Sequence, residues 1–278
     1  MRNIKIVADS SANLLSLEQI PFAFAPLKII TTEREFVDNS VLNVDEMIQT
    51  FDTYKGKSKT SCPSPADWLE AFGDADDIFC LTITSGLSGC YNAACTAKQI
   101  YEAEHEGSRV HVIDTLSTGP EMVLMIEKLS ACISEGMDFE EISKSISSYM
   151  KKTGLLFMLE SLKNFAANGR VSPAVAKITG ILNIRIVGKA SDVGTLEAMN
   201  KCPGEARSLN TLVTHLKNMG LEKGKVRIAH CQNETAAMRL KEMIQKEFPQ
   251  TDIKITVCRG LCSYYAEKGG LLVGFEKM

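Results

Sequence analysis

Short apolar runs that end in hydroxyls or carboxylates recur through the first half of the chain, with helical stretches between them. They are IKIVADS (Ile4–Ser10), DDIFCLTIT (Asp76–Thr84) and RVHVIDT (Arg109–Thr115). Each is too short and too continuously apolar for a surface helix, which makes it a buried strand. The intervening stretches have helical spacing. VDEMIQTFDTY places Val44, Met47, Ile48 and Phe51 on one face, and PSPADWLEAFGDA starts with Ser64 as N-cap and Pro65 at the first helical position. An alanine-rich run follows Gly89, and TGPEMVLMIEKLSACISEG follows Thr115. Strands that alternate with helices of this length require crossover connections and therefore a parallel sheet. LKIITT follows a turn through Pro21 and Pro26.

A different order begins near Gly154. FEEISKSISSYMKKT reads as a connecting helix and LLFMLE as a strand, while SLKNFAANGRVSPAVAKITGIL reads as two short helices broken at Asn168-Gly169. NIRIVGKA and TLEAMNK form an expected antiparallel pair around Asp192-Val193-Gly194. Then come a helix (Glu205–Met219), the strand KVRIAHC, a helix (Thr235–Phe248), the strand DIKITVC and a final strand GLLVGFEK. With 278 residues the chain is long for one domain. The expectation is an N-terminal domain over residues 1–150 and a C-terminal domain over 151–278.

Composition narrows the partners. A hydrophobic fraction of 45% with a net charge of -3 gives no basic excess for nucleic acid and no acidic tail. The start, MRNIKIVADSSANLL, is interrupted by Lys5 and Asp9, which is wrong for a signal peptide, and no apolar run is long enough for stable membrane insertion. Nine scattered cysteines without a Cys-x-x-Cys pair read as free thiols in a reducing, cytoplasmic setting. Cys258 and Cys262 come nearest to a metal-ligand spacing, but no histidine lies at a suitable distance from them, so no metal is expected.

The strand ends carry the chemistry. Asp9-Ser10-Ser11, Thr84-Ser85-Gly86 and Asp114-Thr115 lie where a parallel sheet places its ligand loops, and Thr60-Ser61-Cys62-Pro63-Ser64-Pro65 opens a helix. Free N–H groups at helix starts, with hydroxyls beside them, favour an anion. A nucleotide P-loop is excluded: the loop at 84–89 has no lysine, and Gly56-Lys57-Ser58 has Phe51 where the motif needs glycine. Gly86-Leu87-Ser88-Gly89 is one residue short of a nucleophile elbow. Of the four histidines, only His230 ends a strand where a base could act. The plainest alternative is that these hydroxyls only cap helices.

Taken together these segments resemble the DegV family. The resemblance rests on Asp9-Ser10-Ser11, Thr60-Ser61-x-Pro63-Ser64-Pro65, Ile83-Thr84-Ser85-Gly86-Leu87-Ser88-Gly89-x-Tyr91, Val112-Ile113-Asp114 and Asn168-Gly169-Arg170-Val171-Ser172, and it runs over essentially the whole chain. It implies a two-domain α/β fold: an N-terminal domain with a parallel sheet and flanking helices, and a C-terminal α/β domain with a mixed sheet. It also implies a carrier rather than an enzyme, which binds one long-chain fatty acid without a cofactor and presents the carboxylate to a separate fatty acid kinase subunit. By the same resemblance Thr60, Ser61 and Ser85 supply hydroxyls to the carboxylate, Gly86 the adjoining backbone, and Arg170 the cation. Tyr265 falls where the family usually has a histidine, and Lys201-Cys202-Pro203-Gly204 also departs from the family pattern. Phe157, Leu159, Leu162, Phe165, Ile178 and Leu182 are the expected walls of an acyl pocket hosted largely by the second domain. Two rival functions remain: an enzyme for a small acid or phosphorylated compound with His230 as base, and a lipid-responsive regulator without a kinase.

Overall fold

The computed structural model describes residues 2–171 and 183–277. Ile178 and Leu182 lie outside the described residues. In chain order the strands and helices are β1 (Ile4–Asp9), β2 (Phe22–Ala25), β3 (Lys28–Ile30), β4 (Glu35–Val37), α1 (Val44–Thr53), β5 (Lys59–Ser61), α2 (Pro65–Phe72), β6 (Asp77–Thr82), α3 (Cys90–Glu104), β7 (Arg109–Asp114), α4 (Pro120–Ser134) and α5 (Phe139–Met150). They continue as β8 (Thr153–Leu159), α6 (Lys163–Ala167), β9 (Ile184–Ala190), β10 (Leu196–Pro203), α7 (Glu205–Asn218), β11 (Gly224–His230), α8 (Glu234–Glu247), β12 (Thr251–Val257), α9 (Gly260–Ala266) and β13 (Leu271–Glu276).

The first-half strands form a four-stranded sheet in the order β2-β1-β6-β7, parallel at every pairing. All six residues of β6 are buried, which explains its unbroken apolar run. Its side chains alternate between two cores. Ile78 and Cys80 join Trp68, Phe72 and Tyr101 under α2 and α3, while Phe79 and Leu81 join Met122, Met125 and Ile142 under α4 and α5. The second-half strands form a mixed six-stranded sheet, β10-β9-β8-β13-β11-β12, in which only β11 and β12 run parallel. One of its faces packs Leu156, Met158 and Val273 against α7 and α8. The other carries Leu155, Phe157 and Leu159 toward a three-stranded antiparallel sheet, β4-β3-β5, through Ile29 and Phe36.

Two features depart from the sequence expectation. The small sheet arises from LKIITT and the strands around it, each of three residues, too short to show a period. The segment from Cys262 onward, to which the sequence assigned no element, begins inside helix α9. Its start is held by Asp38, a fully buried carboxylate that accepts from the amides of Gly260 (3.0 Å) and Leu261 (2.9 Å). A cap supplied from more than two hundred residues away leaves no local signal.

Helix α4 packs against β1 and also against β8, β11 and β13. Arg227 fastens it to the second sheet, donating at 2.8 Å to both carboxylate oxygens of Glu127 and to Asp252. No helix among the described residues is long and apolar enough to cross a membrane.

Candidate functional site

A cavity of about 290 Å³ opens where the three sheets meet. This is at the low end of the range for ligand pockets, roughly 300–1,000 Å³, so an occupant is slender or reaches beyond these walls. One wall is the inner face of the six-stranded sheet, with Leu155, Phe157 and Leu159 of β8 and Leu272 of β13. Phe165 follows from α6, Leu27 and Ile83 come from the first half, and Leu196 from β10. Hydroxyls from Thr60, Ser61, Thr84, Ser88, Ser117, Thr118, Thr195 and Tyr265 also border it. Arg170 and Lys189 are the cations, and no carboxylate lies among the described lining residues. Lys189 pairs with Glu197 across the β9–β10 hairpin at 3.6 Å, whereas Arg170 has no ion pair among the described residues.

One corner gathers polar groups from three distant segments. The Thr60 hydroxyl, on β5, shares a hydrogen bond of 2.8 Å with the Tyr265 hydroxyl, on α9. The Tyr265 ring packs 4.6 Å from that of Phe165. Burial pushes the Tyr265 phenol up, and the Thr60 bond and the Arg170 guanidinium counter part of that rise. At neutral pH the phenol is a hydroxyl, able to donate to an acceptor in the cavity. Tyr264 behaves differently: it is 2% exposed, outside the lining, and bonded to Ser58 at 2.7 Å. An apolar cavity with hydroxyls at one corner, beside a guanidinium that makes no ion pair among the described residues, is suited to a ligand with a long apolar body and an anionic head.

The structure separates the sequence-selected residues. Thr60, Ser61, Arg170 and Tyr265 border the cavity, as do Phe157, Leu159 and Phe165. Leu162 does not; it is buried in the adjoining core. Ser85 and Gly86 also fall outside the lining, and both are exposed. The Ser85 amide donates to Asp114 at 3.0 Å and the Gly86 amide to Thr84 Oγ1 at 3.0 Å. The turn therefore faces away from the cavity, and Thr84, Leu87 and Ser88 of the same loop face it instead. His230 is buried, accepts from the Asn233 amide at 3.3 Å, and is not part of the lining. Burial also lowers its pKa.

Two of the other strand ends stitch the fold. Asp9 is fully buried and accepts from Ile83 N (2.6 Å), Ser11 N (3.0 Å) and Ser11 Oγ (2.5 Å). Burial pushes its carboxyl up to about 6, against the lowering effect of these bonds. Ser10 Oγ accepts from Leu27 N at 3.0 Å, and Thr115 Oγ1 donates to Thr82 O at 2.7 Å. Sequence reasoning missed Ser117 and Thr118. They follow β7 and precede Gly119-Pro120 at the start of α4, so a strand end and a helix start together marked them.

Comparison with known proteins places this architecture. The family model described as "Uncharacterised protein, DegV family" matches residues 3–277. A DegV domain-containing protein of Streptococcus pneumoniae is 43% identical over 276 residues, covering 98% of each chain. A DegV family protein from Eubacterium eligens, solved loaded with heptadecanoic acid, superposes with a TM-score of 0.97 at 44% identity over 99% of this chain and all of that one. The Streptococcus pneumoniae Fatty Acid Kinase (Fak) B3 protein, solved loaded with linoleic acid, gives 0.97 at 42% identity with the same coverage.

Proposed function

Because the chain belongs to the DegV family, we propose that it binds one long-chain fatty acid in this cavity and acts as a carrier, not as an enzyme. The observation that carries this is the lining: an apolar body with no carboxylate among its described residues, ending at Thr60, Tyr265 and Arg170, which makes no ion pair among the described residues. The acyl chain lies against Phe157, Leu159 and Phe165, and the carboxylate sits at that polar corner. Ser61 and Ser88 border the same cavity as additional hydroxyls. The relatives solved with heptadecanoic and linoleic acid support the same ligand class.

Energetics are consistent with retention of the ligand. Burying roughly fifteen methylene and methyl groups at about 0.8 kcal/mol each contributes on the order of 12 kcal/mol. Lost translational freedom and chain ordering offset several kcal/mol of this. Micromolar or tighter binding follows, and the head group sets orientation more than affinity. The partner is a fatty acid kinase that acts on the presented carboxylate, in keeping with the relative whose name places it in such a system. None of the four histidines lines the cavity, and this favours a carrier over acid–base chemistry at the head group.

Mass spectrometry of an organic extract from the purified protein tests the reading. A stoichiometric long-chain fatty acid is the expected result. An extract without lipid, from protein that also takes up none when fatty acid is added, overturns it.

A further inference from the structure

The head-group corner is assembled from segments that do not touch in sequence, and one side chain joins all of them. Asn168 follows α6, two residues before Arg170. Its Oδ1 accepts the Thr60 amide at 3.1 Å. Its Nδ2 donates to the Asn164 carbonyl and to the Tyr264 hydroxyl, each at 2.9 Å. The partners fix the orientation of the carboxamide. Turned over, it would set an NH₂ against an N–H and an oxygen against a carbonyl.

Each bond answers a specific need. Thr60 lies on β5, an edge strand of the small sheet. Its amide points to Asn168 rather than to a neighbouring strand, so the carboxamide occupies the open edge. Tyr264 precedes Tyr265 on α9, and Asn164 Nδ2 donates to the Tyr264 carbonyl at 2.7 Å, tying α6 to α9 a second time. The Arg170 amide returns to the Phe165 carbonyl at 2.8 Å, which folds the chain after α6 back toward the Tyr265 ring. Asn168 itself is not among the lining residues.

We propose that Asn168 is the positioning residue of the head-group corner: one carboxamide sets the Thr60 hydroxyl, the Tyr265 hydroxyl and the Arg170 guanidinium at the mutual spacing a carboxylate requires. It acts through those groups and does not contact the ligand. The proposal rests on the fatty-acid reading above and adds a residue that this reading does not need. A hydroxyl or cation displaced by even a fraction of an ångström loses alignment with a carboxylate, whereas the acyl chain, held without directional bonds, tolerates the shift.

The test compares two ligands with the same chain and different heads, palmitic acid and hexadecanol, each displacing a fluorescent fatty acid from delipidated protein. For Asn168→Ala the expected result is about tenfold weaker binding of the acid, the loss of roughly one well-made polar contact, with the alcohol within about threefold of wild type. Tyr264→Phe cuts the link at its other end while leaving the Asn168–Thr60 bond in place. It is expected to weaken the acid in the same sense, by a smaller factor, and it carries the test if Asn168→Ala does not fold. Equal losses for acid and alcohol would make Asn168 a purely structural residue and overturn the proposal, as would unchanged acid binding. Wild-type protein that binds neither ligand would instead remove the fatty-acid reading itself.

Discussion

Asp9-Ser10-Ser11 and Thr60-Ser61 both put short polar side chains at the end of a strand in the fold. The fold uses them in opposite ways. Around Asp9 the polar side chains turn inward and bond to backbone or to one another, so that β1, the Ile83 turn and the chain before β3 are locked together. Around Thr60 the backbone is held by Asn168, and the hydroxyl is left at the cavity wall with Tyr265 as its partner among the described residues. The lesson is that a hydroxyl is left available to a ligand when something else satisfies its own backbone. Where the side chain must do that itself, it becomes part of the fold.

The contrast can be broken most severely at Asp9. Asp9→Ala leaves the Ile83 and Ser11 amides buried without an acceptor, and a loss of about 3 kcal/mol in unfolding free energy is expected from denaturant titration. Folded Asp9→Ala protein should still bind fatty acid within a few-fold of wild type. Strong loss of binding at unchanged stability would reverse the roles assigned to the two regions.

Arg170→Ala should do the opposite. Arg170 is exposed and makes no ion pair among the described residues, so its removal should change stability by less than about 0.5 kcal/mol. Acid affinity should fall by about 2 kcal/mol, the scale of a charge-assisted hydrogen bond. Thr60→Val follows at about 1 kcal/mol, with the loss again confined to the acid. Isothermal titration of the acid and the alcohol separates these outcomes from a general loosening of the cavity.

The pH dependence of stability sharpens the same division. The Asp9 carboxyl rises from its ordinary value of 3.8 to about 6 because burial penalises its charge. The folded state therefore holds this proton more tightly than the unfolded chain does. The associated stability is fully present below about 4, is lost as pH rises through about 6, and is absent above that. Asp38, Glu121 and Glu267 are shifted in the same direction by burial, whereas arginines hold Asp77 and Glu127 below the usual range, so the bulk profile mixes signs. The informative quantity is the difference between wild type and Asp9→Asn. Wild type should gain stability relative to Asp9→Asn as pH falls from 7 to 4, and a difference independent of pH would show that Asp9 does not titrate in this window.

What the sequence disclosed follows the same physics. Fully buried strands such as β6 and self-capped helices such as α2, with Ser64 and Asp67 bonding each other's amides, announce themselves because their causes are local. The parallel sheet and the β9–β10 hairpin were legible for that reason. Helix α9 was not, because its cap, Asp38, lies far away in the chain. Thr60, Arg170 and Tyr265 could be named because motif and family resemblance pointed to them. The direction in which a loop turns is set by partners such as Asp114 and Asn168, and no local pattern records it.

Ser85 and Ser88 give the smallest effect and the sharpest test of that last point. Both belong to one turn, three residues apart, and resemblance favoured Ser85. The structure turns Ser85 outward through the bond from its amide to Asp114 and leaves Ser88 on the cavity wall. Ser88 Oγ already accepts from the Cys90 amide at 3.3 Å and lies 3.2 Å from Cys90 Sγ, so only part of its bonding capacity is open to a ligand. Ser88→Ala should therefore weaken acid binding by no more than about 0.5–1 kcal/mol, or roughly two- to fivefold. Ser85→Ala should leave it within about twofold, since the variant keeps the amide that bonds Asp114 and removes a hydroxyl that faces solvent. If the order were reversed, with Ser85→Ala costing more than Ser88→Ala, the turn would have to rotate when ligand enters, bringing an exposed hydroxyl to the head group and releasing Asp114 from its amide.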